Sequence, residues 1–259
     1  MCYSVYIKTR AGACACVIII TRTRRYIDDT KRERERESAF MASDRASRPT
    51  MTAFLSLGST YTYLTARRIL KEIQKYDNVD IVVKVFSVRA VMIEQDNVPF
   101  PPKKEAKVKH MWRDIERRAA RYGIEPKPVV PAPYPLREFD RANRVGIVLT
   151  HKGKFFQYLD AAYTLWFGAE QTEPGTVEGI TRAMRMIGED AAHVTEAAMS
   201  DDTKREYEAN TKVAFEAGIF GAPSWIVTSP DGVREELFWG DDRLEDALEC
   251  ASEMAHSVV

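Results

Sequence analysis

A short polar sequence, Ser59-Thr60-Tyr61-Thr62, follows an apolar run and precedes a stretch with helical spacing. A hydroxyl at a strand-to-helix corner can cap the helix by accepting a bond from an unpaired backbone N–H. The same corner can stabilise an anion, since the start of a helix carries partial positive charge. A thiolate is such an anion. Ser59 is therefore a candidate for a helix cap, for a sulfur-binding group, or for both.

The sequence lacks the residues that two other nucleophilic chemistries, serine hydrolysis and disulfide exchange, would need. A serine hydrolase would need a nucleophile-elbow motif and a histidine in a triad context, and none of the four histidines stands in one. Disulfide exchange on such a corner needs Cys-x-x-Cys, but positions 59 to 62 contain no cysteine. Cys250 is expected to pack in the last helix, and Cys14-Ala15-Cys16 has no further ligand in register, so we predict no metal.

The elements around Ser59 form a strand, helix and strand. Residues 51–57 are strand-like and end at Gly58, residues 61–76 have apolar positions at helical spacing, and 79–88 is rich in β-branched side chains. This spacing predicts a βαβ unit with two parallel strands. Near the end of the chain, residues 224–228 and 236–239 flank an Asp-Gly turn and predict a β-hairpin, followed by a helix over 243–255.

The middle of the chain is predicted to be helical. Two proline-rich segments, 96–102 and 126–135, cannot be helical themselves. The segments between and after them have helical spacing: 103–122, 137–150, 154–168, 175–187, 190–197 and 201–216. The sequence thus predicts an α/β frame interrupted by a large helical insert.

Four motifs together resemble one family: the Ser59 corner, Asn97-Val98-Pro99, Phe220-Gly221-Ala222-Pro223-Ser224-Trp225, and Phe238-Trp239-Gly240-Asp241-Asp242-Arg243-Leu244. They are similar to motifs of the kappa-class glutathione S-transferase and 2-hydroxychromene-2-carboxylate isomerase family, a DsbA-like branch of the thioredoxin superfamily. The resemblance covers residues 51–259. It implies a thioredoxin-like (DsbA-like) fold formed by 51–100 and 217–259, with the helical insert at 101–216.

The resemblance also implies a role for individual residues. Ser59 would be the catalytic serine that hydrogen-bonds the glutathione sulfur. The glutathione-binding residues would be the loop residues Asn97 and Pro99, Ala222 with a typically cis Pro223, and the pair Asp241 and Asp242 at the γ-glutamyl end. These roles are physically reasonable, because an ammonium group binds carboxylates, a peptide pairs with exposed backbone, and a sulfur anion accepts hydrogen bonds.

The substrate pocket is less well defined by the sequence. Tyr61 and His110 are candidates, and so is Trp166, which could form an apolar wall with Tyr158, Tyr163 and Phe167. The alternative for these aromatic side chains is ordinary core packing. A solvated, basic helix face is predicted from four lysines: Lys103, Lys104, Lys107 and Lys109. One of them could bind the glycyl carboxylate of glutathione.

Three positions depart from the family's pattern. Thr60 stands where proline usually follows the serine, Ser56 where an acidic residue is usual, and His110 near a position that is often aromatic. These changes are compatible with glutathione binding. They do not identify the second substrate.

The first fifty residues differ in composition from the rest. The whole chain has 38 basic and 38 acidic residues, but residues 1–50 hold 11 and 6 of them. We interpret this segment as a basic, weakly structured extension of the domain at 51–259. Its apolar run, 13–20, is much shorter than the roughly 20 residues of a membrane span and lacks a signal-peptide cleavage site.

Composition then limits the function. Zero net charge gives no support for a nucleic-acid binder, and we expect no membrane partner. Four cysteines in 259 residues suit a reducing compartment, so we expect an intracellular protein, cytoplasmic or in mitochondria or peroxisomes, and not a secreted one. The resemblance implies a homodimer and a glutathione transferase acting on a small electrophilic or peroxide substrate, with glutathione as cosubstrate. A glutathione-dependent cis-trans isomerase and a non-catalytic thioredoxin-like binding module are the alternatives.

Overall fold

A computed structural model of the chain describes residues 48–97 and 103–256. All but the last three residues of the predicted extension lie outside the described residues, and so does the predicted site residue Pro99. The domain itself begins slightly earlier than the predicted Met51. The Arg48 guanidinium donates to the Asp77 carbonyl at 2.7 Å, and the Pro49 carbonyl accepts from the Asp80 amide at 3.0 Å.

The sheet has four strands: β1 (Thr50–Leu55), β2 (Asp80–Val85), β3 (Ser224–Thr228) and β4 (Glu235–Trp239). Their order is β2-β1-β3-β4. β1 pairs with β2 in parallel, while β1 with β3 and β3 with β4 are antiparallel. The predicted βαβ unit and hairpin are both confirmed, and with them the thioredoxin-like, DsbA-like frame.

The helices of the frame and insert are, in chain order, α1 (Thr62–Ala66), α2 (Ile69–Ile73), α3 (Val88–Glu94), α4 (Glu105–Arg121), α5 (Phe139–His151), α6 (Phe155–Trp166), α7 (Val177–Ile187), α8 (Ala191–Ala198), α9 (Asp201–Glu216) and α10 (Leu244–His256). A 3₁₀ turn, Asp241–Arg243, leads into α10. The six helices predicted for the insert are all present. No helix among the described residues is long and apolar enough to cross a membrane.

Two predicted elements are wrong in detail. The single helix predicted over 61–76 is two short helices, and Arg67 and Arg68 lie at the break. Their side chains bond to different partners: Arg67 to Asp160 and Thr164 of α6, and Arg68 to the Asp241 main chain. The strand predicted to run to position 88 ends at 85, because the Ser87 hydroxyl accepts the Ala90 N–H and starts α3.

Both faces of the sheet are covered. Met51, Ala53 and Leu55 of β1 point into the larger core, formed with the helical insert and α10. Phe54, on the opposite face, packs with Ile219 and other residues of a smaller core against α3 and α9. This alternation follows from the two-residue period of a strand and fixes which way the end of β1 faces.

Candidate functional site

The strand register brings three distant segments to one edge of the sheet. Phe54 near the end of β1 pairs with Ser224 at the start of β3, and Ser224 pairs with Trp239 at the end of β4. The residues after β1, before β3 and after β4 therefore meet. A cavity of about 740 Å³ opens there. Its lining includes most of the predicted site residues: Ser59, Tyr61, Asn97, His110, Ala222, Pro223, Asp241 and Asp242.

The Ser59 hydroxyl is not a helix cap. Its Oγ donates to the main-chain carbonyl of Ala222 at 2.6 Å. Tyr61 occupies the cap position of α1 and makes no side-chain cap bond. The capping prediction is therefore wrong. We assign no separate anion site to the N-terminus of α1, since that helix has only five residues.

The backbone of the Ser59 corner is held from behind. The Ser59 amide donates to the Ser56 carbonyl at 3.2 Å. The hydroxyl of Tyr163, on α6, donates to the Ser59 carbonyl at 2.6 Å and lies 3.2 Å from the Ser56 carbonyl. Tyr163 is fully buried, and burial raises its pKa well above the usual value, so it remains a neutral donor. The corner therefore has little freedom to move as a whole.

Asn143 provides a second hold on the same corner. This fully buried residue of α5 accepts the Leu57 amide at 2.8 Å, and its amide group donates to Ser56 Oγ at 3.3 Å and to the Tyr207 hydroxyl at 3.1 Å. Ser56, one of the departures from the family's pattern, thus takes part in a buried polar network. Buried polar groups need such partners, since an unpaired one costs about 1–3 kcal/mol.

Thr60, another departure, lines the cavity but directs its hydroxyl to another partner. Its side chain is buried, and its hydroxyl lies 3.0 Å from the sulfur of Met111 on α4. The hydroxyls of Ser59 and Thr60 are therefore adjacent in sequence but have different partners, the Ala222 carbonyl and the Met111 sulfur.

The main chain around Ala222 has the predicted form. The Ala222–Pro223 peptide bond is cis. The Gly221 carbonyl accepts the Ser224 hydroxyl at 2.9 Å, and the Pro223 carbonyl accepts the Gly240 amide at 3.0 Å. Between them, the Ala222 carbonyl accepts from Ser59, and both residues line the cavity.

The two predicted carboxylates differ in accessibility. The Asp241 side chain is 1% exposed. Its Oδ2 lies 2.8 Å from a guanidinium nitrogen of Arg118 and 4.0 Å from one of Arg68, so it forms ion pairs with both. Neither contact has the geometry of a hydrogen bond. The Asp242 side chain is 46% exposed and lies 3.7 Å from Arg118. Asp242 is therefore the carboxylate that a ligand can reach, while Asp241 holds Arg118 in place.

Burial also changes the charge state of Asp241. It raises the pKa of this carboxyl to about 7, against the opposing effect of Arg118 and Arg68. The neighbouring carboxylates of Asp242 and Asp114 add to the increase. Asp241 is thus an acid that titrates near neutral pH within the wall of the cavity.

The three remaining predicted residues, Tyr61, His110 and Asn97, also line the cavity. The Tyr61 hydroxyl donates to Asp114 at 3.2 Å, and its pKa is raised, mainly by burial and then by that carboxylate. His110 is exposed on α4. Asn97 is exposed after α3, with its amide donating to the Met92 carbonyl at 2.8 Å.

Trp166 is not part of the site. It is fully buried, its indole N–H donates to the Pro133 carbonyl at 2.9 Å, and its ring packs against Tyr163 and Phe167. The interpretation of this aromatic group as a substrate wall is therefore wrong for Trp166. These side chains form the core, because the apolar face of α6 packs against α1, α5 and α7.

The apolar wall of the cavity comes from other residues: Val88, Met92, Tyr134, Leu136 and Phe139. A Cβ added at Gly58 would lie 3.2 Å from the Phe139 ring, so this wall begins beside Ser59. The Arg89 guanidinium lies 5.3 Å from the centre of the Phe139 ring. The contribution of α3 to this wall was not predicted from the sequence, because residues 89–95 were assigned to no element; the Ser87 cap was the signal that could have found this helix.

The opposite wall contains Trp239. Its indole lies directly over Gly221, where any Cβ would collide with it, and its ring centre lies 4.9 Å from that of Phe220. The side chain is 53% exposed, whereas the other three tryptophans are at most 9% exposed. Trp239 thus covers the segment that carries Ala222.

Comparison with known proteins gives a consistent picture. The chain is 28% identical over 142 residues to 2-hydroxychromene-2-carboxylate isomerase from Sphingobium xenophagum; the match spans 54% of this chain and 65% of that relative, slightly less than two thirds of it. A solved 2-hydroxychromene-2-carboxylate isomerase superposes with a TM-score of 0.67 at 22% identity, over 80% of this chain and 97% of that one.

The fold is shared more widely. A candidate protein disulfide isomerase from Nitrosomonas europaea has a TM-score of 0.59 at 19% identity, covering 81% of this chain and 98% of that one. A candidate DsbA oxidoreductase from Streptomyces coelicolor has a TM-score of 0.59 at 14% identity, with coverage of 79% and 90%. The model of the DSBA-like thioredoxin domain matches residues 50–250. Because that match spans most of the chain, the protein belongs to the DsbA-like thioredoxin family.

Proposed function

We propose that the protein is a glutathione-dependent enzyme in which Ser59 stabilises the glutathione thiolate for attack on a small electrophile. One observation carries the proposal: the Ser59 hydroxyl and the Ala222 main chain meet at 2.6 Å in a cavity of about 740 Å³. A cavity of this size is in the usual range for small-molecule sites. It has a polar wall for a peptide thiol and an apolar wall for a second substrate.

Glutathione would bind along the polar wall. The exposed carboxylate of Asp242 suits the α-amino group of the γ-glutamyl residue, and the Ala222 main chain suits the cysteinyl backbone. The exposed Lys107, which also lines the cavity, supplies a cation for the glycyl carboxylate. This orientation would leave the sulfur next to Ser59.

The chemistry needs the thiol to lose its proton. A free thiol has a pKa of about 8.5, so only a few per cent is ionised at pH 7. The proton leaves to water, and the Ser59 hydroxyl keeps its own proton while donating a hydrogen bond to the sulfur anion. Such a bond to a charged group is worth about 1.5–3 kcal/mol, or about 1–2 units of thiol pKa.

The thiolate would then attack an electrophilic carbon held against Val88, Met92 and Phe139. A carbon–sulfur bond forms, and the electron pair of the attacked double bond moves to the electron-withdrawing group. If water protonates this adduct and it leaves, the reaction is a transfer. If the adduct rotates about the new single bond and expels glutathione, the double bond re-forms and the reaction is an isomerisation.

Two features favour the isomerisation as the second candidate. The relative from Sphingobium is named for an isomerisation of a carboxylate. In this chain Arg89 places a cation over Phe139 on the apolar wall, where it could pair with the carboxylate of a planar acid. A peroxide is the other electrophile of the first hypothesis. The thiolate would attack one peroxide oxygen, the O–O bond would break, the other oxygen would leave as an alcohol or water after taking a proton from water, and the peroxide would oxidise glutathione to its sulfenic acid.

The fate of glutathione distinguishes these reactions. Purified protein is incubated with an unsaturated keto acid and a tenfold deficit of glutathione, and both are followed by chromatography. A transferase stops when glutathione is consumed, whereas an isomerase converts all of the acid and returns the glutathione. A non-catalytic binding module would bind glutathione or a peptide in calorimetry and convert nothing.

The role of Ser59 has its own test. We expect Ser59→Ala to raise the pKa of bound glutathione by about 1–2 units, measured from the ultraviolet absorbance of the thiolate, and to slow the reaction 10-fold or more at pH 7. Thr60→Val is the matched control, since the Thr60 hydroxyl bonds to Met111. An unchanged thiol pKa in Ser59→Ala would remove Ser59 from the mechanism.

Disulfide exchange is the activity named for other proteins of this fold. Here the corner at positions 59 to 62 reads Ser-Thr-Tyr-Thr, and Cys250 lies on α10, away from the residues that line the cavity. The reactive sulfur in our proposal therefore comes from the bound thiol.

A further inference from the structure

The one proton of the Ser59 hydroxyl is already engaged. It is donated to the Ala222 carbonyl at 2.6 Å, a short distance for a hydroxyl donor. A hydroxyl has a single proton to donate. In this arrangement Ser59 cannot donate to a sulfur anion, so a thiol that enters the cavity meets a serine whose donor is occupied.

The acceptor is also the natural partner of a bound peptide. Within residues 48–97 and 103–256, no main-chain N–H donates to the Ala222 carbonyl, while the carbonyls on either side accept from Ser224 and Gly240. An extended peptide pairing with this segment would present its N–H to that carbonyl. Ser59 and the ligand N–H would thus be directed at the same carbonyl oxygen. That oxygen has two lone pairs, so the N–H displaces the hydroxyl where both donors approach from the same side of the carbonyl.

Only the side chain of Ser59 is able to respond to this competition. Its carbonyl is held by Tyr163 and its amide by Ser56, so the backbone of the corner stays in place. A rotation of the hydroxyl away from Ala222 is sufficient to direct its proton into the cavity.

We propose that a peptide N–H of the thiol substrate displaces the Ser59 hydroxyl from Ala222 and thereby makes it available to the sulfur. The site would then activate thiols that carry an amide N–H on the carbon beside the thiol-bearing carbon, and not simple alkyl thiols. This inference deepens the proposed function and rests on it. No covalent bond to Ser59 forms, and the thiol proton goes to water.

The first experiment separates the ligand N–H from the sulfur. Glutathione and glutathione methylated on the cysteinyl amide nitrogen are each bound to the wild type and to Ser59→Ala, and the thiolate absorbance is titrated. With glutathione, we expect the substitution to raise the thiol pKa by at least one unit. With the methylated form, we expect the two proteins to give the same pKa, near that of the free thiol. An equal effect of Ser59 on both thiols would overturn the inference and leave the proposed function standing.

A second measurement decides the matter if the methylated thiol does not bind. The tripeptide γ-glutamyl-alanyl-glycine has the N–H but no sulfur. We expect it to bind Ser59→Ala about 2- to 10-fold more tightly than the wild type in calorimetry, because its N–H no longer has a competitor. Thr60→Val should bind it like the wild type. Equal or weaker binding to Ser59→Ala would contradict the competition.

The two proposals fail in different ways. If Ser59→Ala leaves the pKa of bound glutathione itself unchanged, the catalytic role of Ser59 is wrong, and the inference falls with it. If that pKa rises but the tripeptide shows no tighter binding, only the competition at Ala222 is wrong.

Discussion

Asp241 is an acid whose charge depends on pH in the range where an enzyme works. Its carboxyl is buried against Arg118 and has a pKa of about 7. Above that pH the ionised carboxylate holds Arg118. Below it, Arg118 loses this charged partner and keeps Asp242, which lies 3.7 Å away, as its acidic neighbour. Protonation of the buried Asp241 thus strengthens the pull of Arg118 on the exposed carboxylate of Asp242.

We therefore expect the affinity for glutathione to fall as the pH decreases through about 7. Arg118 would then compete with the ligand's ammonium group for Asp242. Asp241→Asn should bind weakly at every pH, since it mimics the protonated acid. Calorimetry between pH 5.5 and 7.5, where the amine stays protonated, measures this. Parallel pH curves for the two proteins would contradict the mechanism.

The same pKa predicts a trend in stability. The folded-state pKa of Asp241 is raised from 3.8 to about 7, so between these values the folded state keeps a proton that the unfolded state has lost. The contribution of this group is fully present below pH 3.8 and is lost as the pH rises through 7. We expect the difference in free energy of unfolding, wild type minus Asp241→Asn, to decrease by up to about 4 kcal/mol from pH 4 to pH 8. A difference independent of pH in urea unfolding would refute this.

The motifs that resemble the family predicted which residues lie together, but not how each one is packed. Ser59, Ala222 and Asp242 could be selected from the sequence, and the register of β1, β3 and β4 brings them together. The burial of Asp241 could not be predicted, because it depends on Arg118 reaching it from α4. Trp166 was misjudged for a similar reason: helical spacing identifies an apolar face but not what covers it.

At the scale of elements, α6 supports the Ser59 corner through Tyr163. We expect Tyr163→Phe to destabilise the fold by about 1–3 kcal/mol, because it leaves the Ser59 carbonyl without its buried donor. The corner should loosen as well, so that the pKa of bound glutathione rises and kcat falls.

Tyr158→Phe is the matched control. Tyr158 lies on the same helix and is equally buried, but its hydroxyl donates to the Ala142 carbonyl on α5. It should lose similar stability and keep the wild-type thiol pKa. If both variants shift the thiol pKa equally, Tyr163 has no specific positioning role.

The segment before β3 needs a glycine at position 221, because the Trp239 indole occupies the place of a side chain there. Gly221→Ala should displace Trp239, because the added methyl would occupy the place of the indole. We expect weaker glutathione binding and stronger quenching of tryptophan fluorescence by acrylamide, since Trp239 is the exposed tryptophan. Binding and quenching that match the wild type would show that Trp239 does not cover this wall.

The order of the elements was largely predictable, while two of their boundaries were not. The insert helices follow clear apolar spacing between proline-rich segments, and the hairpin follows its Asp-Gly turn. The break at Arg67-Arg68 has no local signal, because the partners of the two arginines are distant in sequence: they lie on α6, on α10 and in the turn before α10. Tertiary contacts override helix propensity there.

At the scale of the whole molecule, the start of the domain can be tested by truncation. A chain that begins at Arg48 should unfold at the same urea concentration as the full chain. One that begins at Met51 loses the bonds of Arg48 and Pro49 to the Asp77–Asp80 segment, and we expect it to be less stable by about 1–3 kcal/mol. Equal stability of the two truncated chains would place the boundary at Met51, as the sequence alone suggested.

The contact between Ser59 and Ala222 joins residues 163 positions apart in the chain. Closing so long a loop is slow and entropically costly, and here the whole helical insert lies between the two ends. During synthesis the serine corner leaves the ribosome long before its partner segment, so no partial chain would have the complete site that we propose. A tripeptide thiol would bind only the finished fold and stabilise it by mass action. Its binding is thus a direct measure of how many molecules have completed folding.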